Sequence, residues 1–161
     1  MGGGNHYNKP TNNFELEELL KDEPHFKGVF MKDQLTGKIN DNENAIVNLE
    51  SSGDRGSHWV CYFNSSTLDY VLYFDSYGLP PPEEIVKYLS TSDKKIMYNT
   101  SEIQNLKSQM CGYYCVYVIK ELNKGNDFYD IVYEFDPFPS NENENEIRNI
   151  SDDLLEKYKY D

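Results

Sequence analysis

His58-Trp59-Val60-Cys61-Tyr62-Phe63 and Leu68-Asp69-Tyr70-Val71-Leu72-Tyr73-Phe74 are two runs of strand composition, joined by the polar Asn64-Ser65-Ser66-Thr67. β-Branched and aromatic residues suit a pleated surface, and the polar break suits a turn, so the pair predicts an antiparallel hairpin. A hairpin sets its two outer ends side by side. Here those ends are His58, at the head of one strand, and Asp75, just past the tail of the next. Downstream, residues 111–122 form the most apolar long segment, Cys-Gly-Tyr-Tyr-Cys-Val-Tyr-Val-Ile-Lys-Glu-Leu. Its length predicts a buried helix that starts at Cys111 and stops near Gly125.

Outward from this centre, Asn12 and Asn13 precede a short predicted helix over 14–20, with acids early and apolar residues at 16, 19 and 20. Val29-Phe30-Met31 reads as a strand or an apolar loop, and Ala45-Ile46-Val47-Asn48-Leu49 as a strand. Thr36-Gly37 and the Asn/Asp-rich residues 40–44 read as turns, and Gly53-Asp54-Arg55-Gly56 as a flexible loop. Pro80-Pro81-Pro82 leads into a helix through Leu89, since proline suits a first helical turn. Lys95-Ile96-Met97-Tyr98-Asn99 is a further strand candidate. Asn141-Glu142-Asn143-Glu144-Asn145-Glu146 reads as a polar linker, and Ser151 as the cap of a last helix. The pattern is α+β, a small mixed or antiparallel sheet flanked by helices. A single domain spans 1–161, with a flexible start over 1–12, a linker over 139–150 and a terminal helix over 151–161.

A chain of 161 residues, 38% hydrophobic and 14% aromatic with 14 Tyr, has enough apolar surface for one core, and the aromatic load argues against disorder. Mean hydropathy is −0.76, and no apolar run approaches the 18 or so residues a membrane helix needs. Met1-Gly2-Gly3-Gly4-Asn5-His6 lacks both an apolar signal stretch and the Ser or Thr of a myristoylation site. The net charge of −13 repels phosphate backbones, which disfavours nucleic acid as a partner. Three Cys, an odd number, predict free thiols in a reducing compartment.

His58, Asp75 and Cys111 together have the chemistry of a nucleophilic thiol centre. A carboxylate orients an imidazole, the imidazole takes the thiol proton, and the thiolate attacks. The unpaired N–H groups of a first helical turn would stabilise that thiolate, and Gly112 beside it permits close approach of substrate. Singly, each residue has a plainer reading. His58 suits a half-buried core position, Asp75 an ordinary turn, and Cys111 small core filler. Metal binding has little support, because Cys111 and Cys115 at i, i+4 do not complete a zinc site. Cys115 reads as core.

Gly56-Ser57-His58-Trp59-Val60, Leu72-Tyr73-Phe74-Asp75-Ser76-Tyr77-Gly78, Gln104 and Met110-Cys111-Gly112-Tyr113-Tyr114-Cys115 together resemble the adenain family of viral maturation proteases. The wider group includes the proteases that process SUMO and related ubiquitin-like proteins. The similarity starts near Leu20-Lys21-Asp22, continues through Asn44-Ala45-Ile46-Val47-Asn48 and runs to about Glu121. The resemblance implies an adenain-type cysteine protease fold, with His58 as general base, Cys111 as nucleophile and Asp75 as the acidic third member. It gives Gln104 as the oxyanion-hole amide, with Gln109 as the rival. Trp59 is implied beside the substrate cleft, or else plainly in the core. It further implies cleavage after Gly-containing sites. Met1-Gly2-Gly3-Gly4 resembles such a site, but a tag remnant or simple flexible tail is the favoured reading of it.

Two departures qualify the resemblance. The adenoviral enzyme is basic and uses DNA and a disulfide-linked peptide as cofactors. This chain is acidic, and residues 91–100 contain no Cys for that link. No cofactor and no metal are expected. The implied substrates are viral capsid or core precursors, with a monomeric enzyme in the virion and in the cytoplasm of the infected host cell. Asn, Lys, Asp and Tyr richness is compatible with the AT-rich genome of a large DNA virus or virophage. The alternatives are a protease removing ubiquitin-like modifiers, an acyltransferase using the same three residues, and a noncatalytic binding module on the same fold.

Overall fold

The two central runs do pair. In the structure, a computed structural model that describes residues 11–50, 58–104, 109–135 and 141–160, they form β3 (Trp59–Asn64) and β4 (Tyr70–Phe74). These strands are antiparallel, in the register Cys61↔Phe74, Tyr62↔Tyr73, Phe63↔Leu72. β2 (Glu43–Asn48) lies antiparallel on the other side of β3. β1 (Phe26–Met31) and β5 (Lys95–Tyr98) add at the two edges, each parallel to its neighbour, giving one sheet in the order β1-β2-β3-β4-β5. The sheet is therefore mixed. The central antiparallel part was predicted; the parallel edges need crossovers, which strand composition does not reveal.

Strands β2 and β3 are buried at every position, so both faces of the sheet are covered. One face carries Ala45, Val47, Val60, Tyr62, Val71 and Tyr73 beneath helix α2 (Glu83–Leu89), whose Ile85, Tyr88 and Leu89 pack down on them. α2 also serves as the crossover that brings β5 back parallel to β4. The other face carries Ile46, Trp59, Cys61, Phe63, Leu72 and Phe74 against α3 (Cys111–Asn123). From Cys111 to Ile119 α3 is apolar on all sides because it is enclosed there, with β3 on one flank and α1 (Asn13–Leu20), α4 (Phe128–Tyr133) and α5 (Asn141–Tyr160) on the others. It closes through Lys124, and Gly125 takes φ +92°, a left-handed conformation that favours glycine. Asn12 caps α1, its side chain accepting from the Glu15 N–H.

One boundary needs correction. The linker expected over 139–150 is helical from Asn141, within the single helix α5, and Ser151 lies buried inside that helix instead of capping it. The buried stripe of α5 has helical spacing, with Asn143, Ile147, Ile150 and Ser151 on it, but half of it is polar. Those polar groups have specific partners. Asn143 Nδ2 donates to the Ile103 carbonyl at 3.1 Å, and Tyr114 Oη donates to Glu144 at 3.2 Å. The flexible loop expected at Gly53–Gly56 and residues 1–10 of the expected flexible start lie outside the described residues, whereas Thr11 is buried and Asn12 is fixed as the cap of α1.

The α2 face encloses one buried charge, Glu43, 1% exposed. Its Oε2 accepts from both Tyr62 and Tyr88 hydroxyls at 2.5 Å, and Lys27 Nζ lies 3.8 Å away. Its Oε1 accepts from the backbone and side-chain amides of Asn40 at 3.1 and 2.9 Å. Burial first, then the bond to Glu43, pushes the Tyr62 phenol far up, so it stays a donor. The network ties β1, β2, β3 and α2 together. Glu43→Ala strands two buried hydroxyls, and the unfolding free energy in a urea titration should fall by about 3 kcal/mol. A loss under about 1 kcal/mol would show that the hydroxyls find other acceptors.

Candidate active site

The β3–β4 register explains which side chains meet at the end of the hairpin. Continued three positions past Cys61↔Phe74, it sets His58 opposite Tyr77 and diagonal to Asp75. His58 Nε2 lies 2.7 Å from Asp75 Oδ1, and the imidazole stacks on the Tyr77 ring with centroids 4.4 Å apart and planes 15° from parallel. Asp75 is fully buried and held through its backbone and Oδ1. Its backbone N–H donates to Asn99 Oδ1 at 3.1 Å, its carbonyl accepts from Asn99 Nδ2 at 2.7 Å, and its Oδ1 also accepts from the Tyr77 N–H at 2.8 Å. Gly78 N–H closes the turn onto the Asp75 carbonyl at 2.8 Å. Gly78 takes φ +72°, and a Cβ there would come within 2.7 Å of the Thr100 carbonyl oxygen, so the turn requires glycine.

Cys111 opens α3 at the same end of the sheet, 4% exposed, and the Trp59 backbone N–H points at its Sγ from 3.4 Å. The helix start and the strand end thus set Cys111 beside the His58–Trp59 segment. Burial pulls the His58 pKa down. The hydrogen bond to Asp75 and then the Cys111 side chain nearby, with the charges of both, outweigh it and hold the ring at about 9 instead of 6.5. Protonated at neutral pH, His58 is placed to hand a proton to a leaving group.

Gln104 is fully buried, and its amide is fixed from the turn that carries Asp75. The Ser76 hydroxyl donates to Gln104 Oε1, and the Ser76 carbonyl accepts the Gln104 N–H at 3.0 Å. The rival, Gln109, is exposed. Trp59 is 7% exposed within the core cluster, and its indole N–H donates to the Thr11 carbonyl at 3.1 Å. Gly112 is buried under the same segment. A Cβ there would overlap the Thr11 hydroxyl and touch Leu16 Cδ2 at 3.0 Å, so the space beside it belongs to the chain entering α1. Close packing of that segment is the use the structure shows for Gly112, in place of the substrate approach expected.

All three cysteines are free and buried. Cys115 is core, its thiol donating to the Trp59 carbonyl at 3.5 Å, and burial pushes its pKa well up. Among the described residues no cluster of three His, Cys, Asp or Glu is placed to hold a metal. No helix among them is long and apolar enough to cross a membrane. A hollow of about 580 Å³, floored by Phe63, Leu72, Met97, Leu122 and Phe128, opens at the other end of the hairpin and contains none of the site residues. Sequence reading missed Asn99, which ended a predicted strand, and gave Ser76 and Tyr77 no role beyond the motif run around Asp75. Their signal was the register, visible once the pairing of β3 and β4 is known.

No protein-family model matches the sequence, and no curated protein matches it. Solved structures do match in fold. Two crystal structures of the ASFV pS273R protease superpose with TM-scores of 0.58 and 0.52, at 16% and 19% identity, over 78% and 67% of this chain. This chain spans 61% and 43% of theirs. The SUMO protease Ulp1, with its catalytic cysteine oxidised to a sulfonic acid, superposes at a TM-score of 0.49 and 16% identity over 76% of this chain and 72% of its own. The fold is thus the α+β architecture that the ASFV protease shares, a five-stranded mixed sheet with helices on both faces.

The raised His58 pKa has a stability consequence with a definite sign. A group whose folded pKa exceeds its unfolded value stabilises fully below the unfolded pKa, near 6.5, and that contribution is lost as pH rises through about 9. Wild type should therefore lose urea stability over this window relative to His58→Gln. Two stability curves that run parallel from pH 6 to about 9.5 would overturn the assignment.

Proposed function

We propose that this protein is a cysteine endopeptidase, and the observation that carries the reading is His58 held between a buried Asp75 and the Cys111 thiol at the start of α3. The imidazolium of His58 holds the proton given up by the thiol, and Sγ, as the thiolate, attacks the scissile carbonyl carbon. The resulting oxyanion is met by the Cys111 backbone N–H and the Gln104 amide, which Ser76 already orients. Collapse of the intermediate breaks the C–N bond, and His58 passes its proton to the departing amine. Water, deprotonated by His58, then hydrolyses the thioester. Asp75 keeps the imidazole in place throughout and balances its positive charge.

The likeness of fold to the ASFV protease supports the endopeptidase reading. The motif resemblance supports Gly-containing cleavage sites and viral capsid or core precursors as substrates. The same reading places the enzyme in the virion and the infected cytoplasm. At a net charge of −13 the enzyme works without DNA.

A fluorogenic Leu-X-Gly-Gly peptide tests this directly. Wild type should turn it over and Cys111→Ala should not; cleavage that survives in Cys111→Ala would remove Cys111 as the nucleophile. Gln104→Ala should lower kcat by roughly 10²–10³, the usual cost of one lost oxyanion donor, with little change in KM. Added double-stranded DNA should leave the rate unchanged, and strong stimulation would overturn the DNA-independent reading.

A further inference from the structure

We infer that Tyr77 is a positioning residue for His58, holding the imidazole face to face against its own ring while its backbone N–H anchors the carboxylate that the same imidazole binds. The inference deepens the protease reading, on which the catalytic role of His58 rests. The geometry belongs to one turn. Asp75 Oδ1 accepts from His58 Nε2 at 2.7 Å and from the Tyr77 N–H at 2.8 Å, so a single carboxylate oxygen joins the residue beneath the imidazole to the imidazole itself. Gly78 makes the turn tight enough to swing the Tyr77 side chain back over the strand end, opposite His58.

The ring contact is a stack, with planes 15° apart and centroids 4.4 Å apart. A phenol ring carries negative potential on its face, so it attracts a protonated imidazole more than a neutral one. It also fixes rotation about the Cβ–Cγ bond of His58, a freedom that the single bond at Nε2 leaves open. It shields the ring face as well, leaving the His58 side chain 12% exposed. Nδ1 is buried without a partner in hydrogen-bond geometry, so the stack, not a second bond on that edge, holds the ring plane.

The charges around the pair are few. Asp75 at the end of β4 and Cys111 on α3 act on His58. Cys111, Asp75, Glu144 of α5 and Glu102 act on the Tyr77 phenol, and burial followed by these negative neighbours raises its pKa, so it stays neutral and electron-rich. Removal of the ring leaves all of those charges and the Asp75 anchor in place.

Two readouts test this in the full chain. The first is the NMR titration of the His58 Cε1 proton, assigned by its absence in His58→Gln. The second is the pH profile of kcat and KM on the fluorogenic peptide. Tyr77→Leu should lower the His58 midpoint by about one pH unit and kcat roughly tenfold, with KM within about twofold. Tyr77→Phe keeps the stacking face and should hold both near wild type. Tyr77 is half-exposed, and Tyr77→Met supplies a second variant without the ring should the leucine variant fold poorly. An unmoved midpoint in the variants lacking the ring, or a fall as large in Tyr77→Phe, overturns the inference. Because the titration needs no substrate, a normal shift in a protein that cleaves nothing would refute the protease reading and leave the role of Tyr77 standing.

Discussion

The antiparallel ladder between β3 and β4 is the constraint on which the rest of the molecule depends. Both strands are buried on both faces, so a slip of one residue would exchange the α2-facing and α3-facing side chains along the whole hairpin. Tyr62, Val60 and Tyr73 would turn toward α3, and Cys61 and Phe74 toward the Glu43 network. The two cores therefore lock the register from either side. The same register delivers His58 to Tyr77 and Asp75 at the hairpin mouth, which makes the site a consequence of core packing and not of loop conformation.

α3 completes the arrangement from the opposite direction. Its enclosure between the sheet and the outer helices fixes where its first turn stands, and Cys111 is that first turn. Thr11 then bridges the two elements, its carbonyl on the Trp59 indole and its hydroxyl over Gly112. Those residues are the immediate chain neighbours of His58 and Cys111. Rigid elements supply the imidazole and the thiol, and one buried strap fastens one to the other, the precision that the proposed chemistry needs.

The hairpin, the apolar helix and the pairing of His58 with Asp75 were legible in the sequence because each rests on a local or near-local pattern. Alternating apolar residues, a polar turn and a long apolar run announce themselves without knowledge of the fold. The parallel edges β1 and β5 were less so, since a parallel pair is specified by a crossover that composition does not encode. α5 was misread at its start because its buried stripe includes Asn143 and Glu144, and a hydropathy pattern cannot register polar groups that are buried with partners. Gly112 carried an ambiguous signal: a glycine beside a reactive cysteine suits substrate approach and tight packing alike, and only the position of Thr11 shows the packing. Asn99 lies 24 residues from the Asp75 it holds, a spacing no local period carries, and Tyr77 holds it through a backbone N–H of the turn, which a side-chain pattern does not register.

The distribution of unpaired polar atoms separates the two polar networks of the protein. Around Glu43 both carboxylate oxygens have donors, a closed arrangement that ties four elements together. At the hairpin mouth the accounting stays open. Asp75 Oδ2 and His58 Nδ1 are buried without a hydrogen-bond partner, and Asn48 Nδ2, on the strand residue paired with Trp59, is in the same condition. Each such group costs about 1–3 kcal/mol when buried unpaired, so a fold that needed only stability would have satisfied or replaced them. Thr11 Oγ1, Asn44 Oδ1 and Tyr73 Oη share that condition outside this set, and it is the set around His58 that, on the protease reading, suits partners arriving with the substrate. The Tyr77 stack belongs to the same economy: it restrains an imidazole whose second nitrogen must stay uncommitted for chemistry, and does so through the ring face, the one part of that side chain with no proton to exchange.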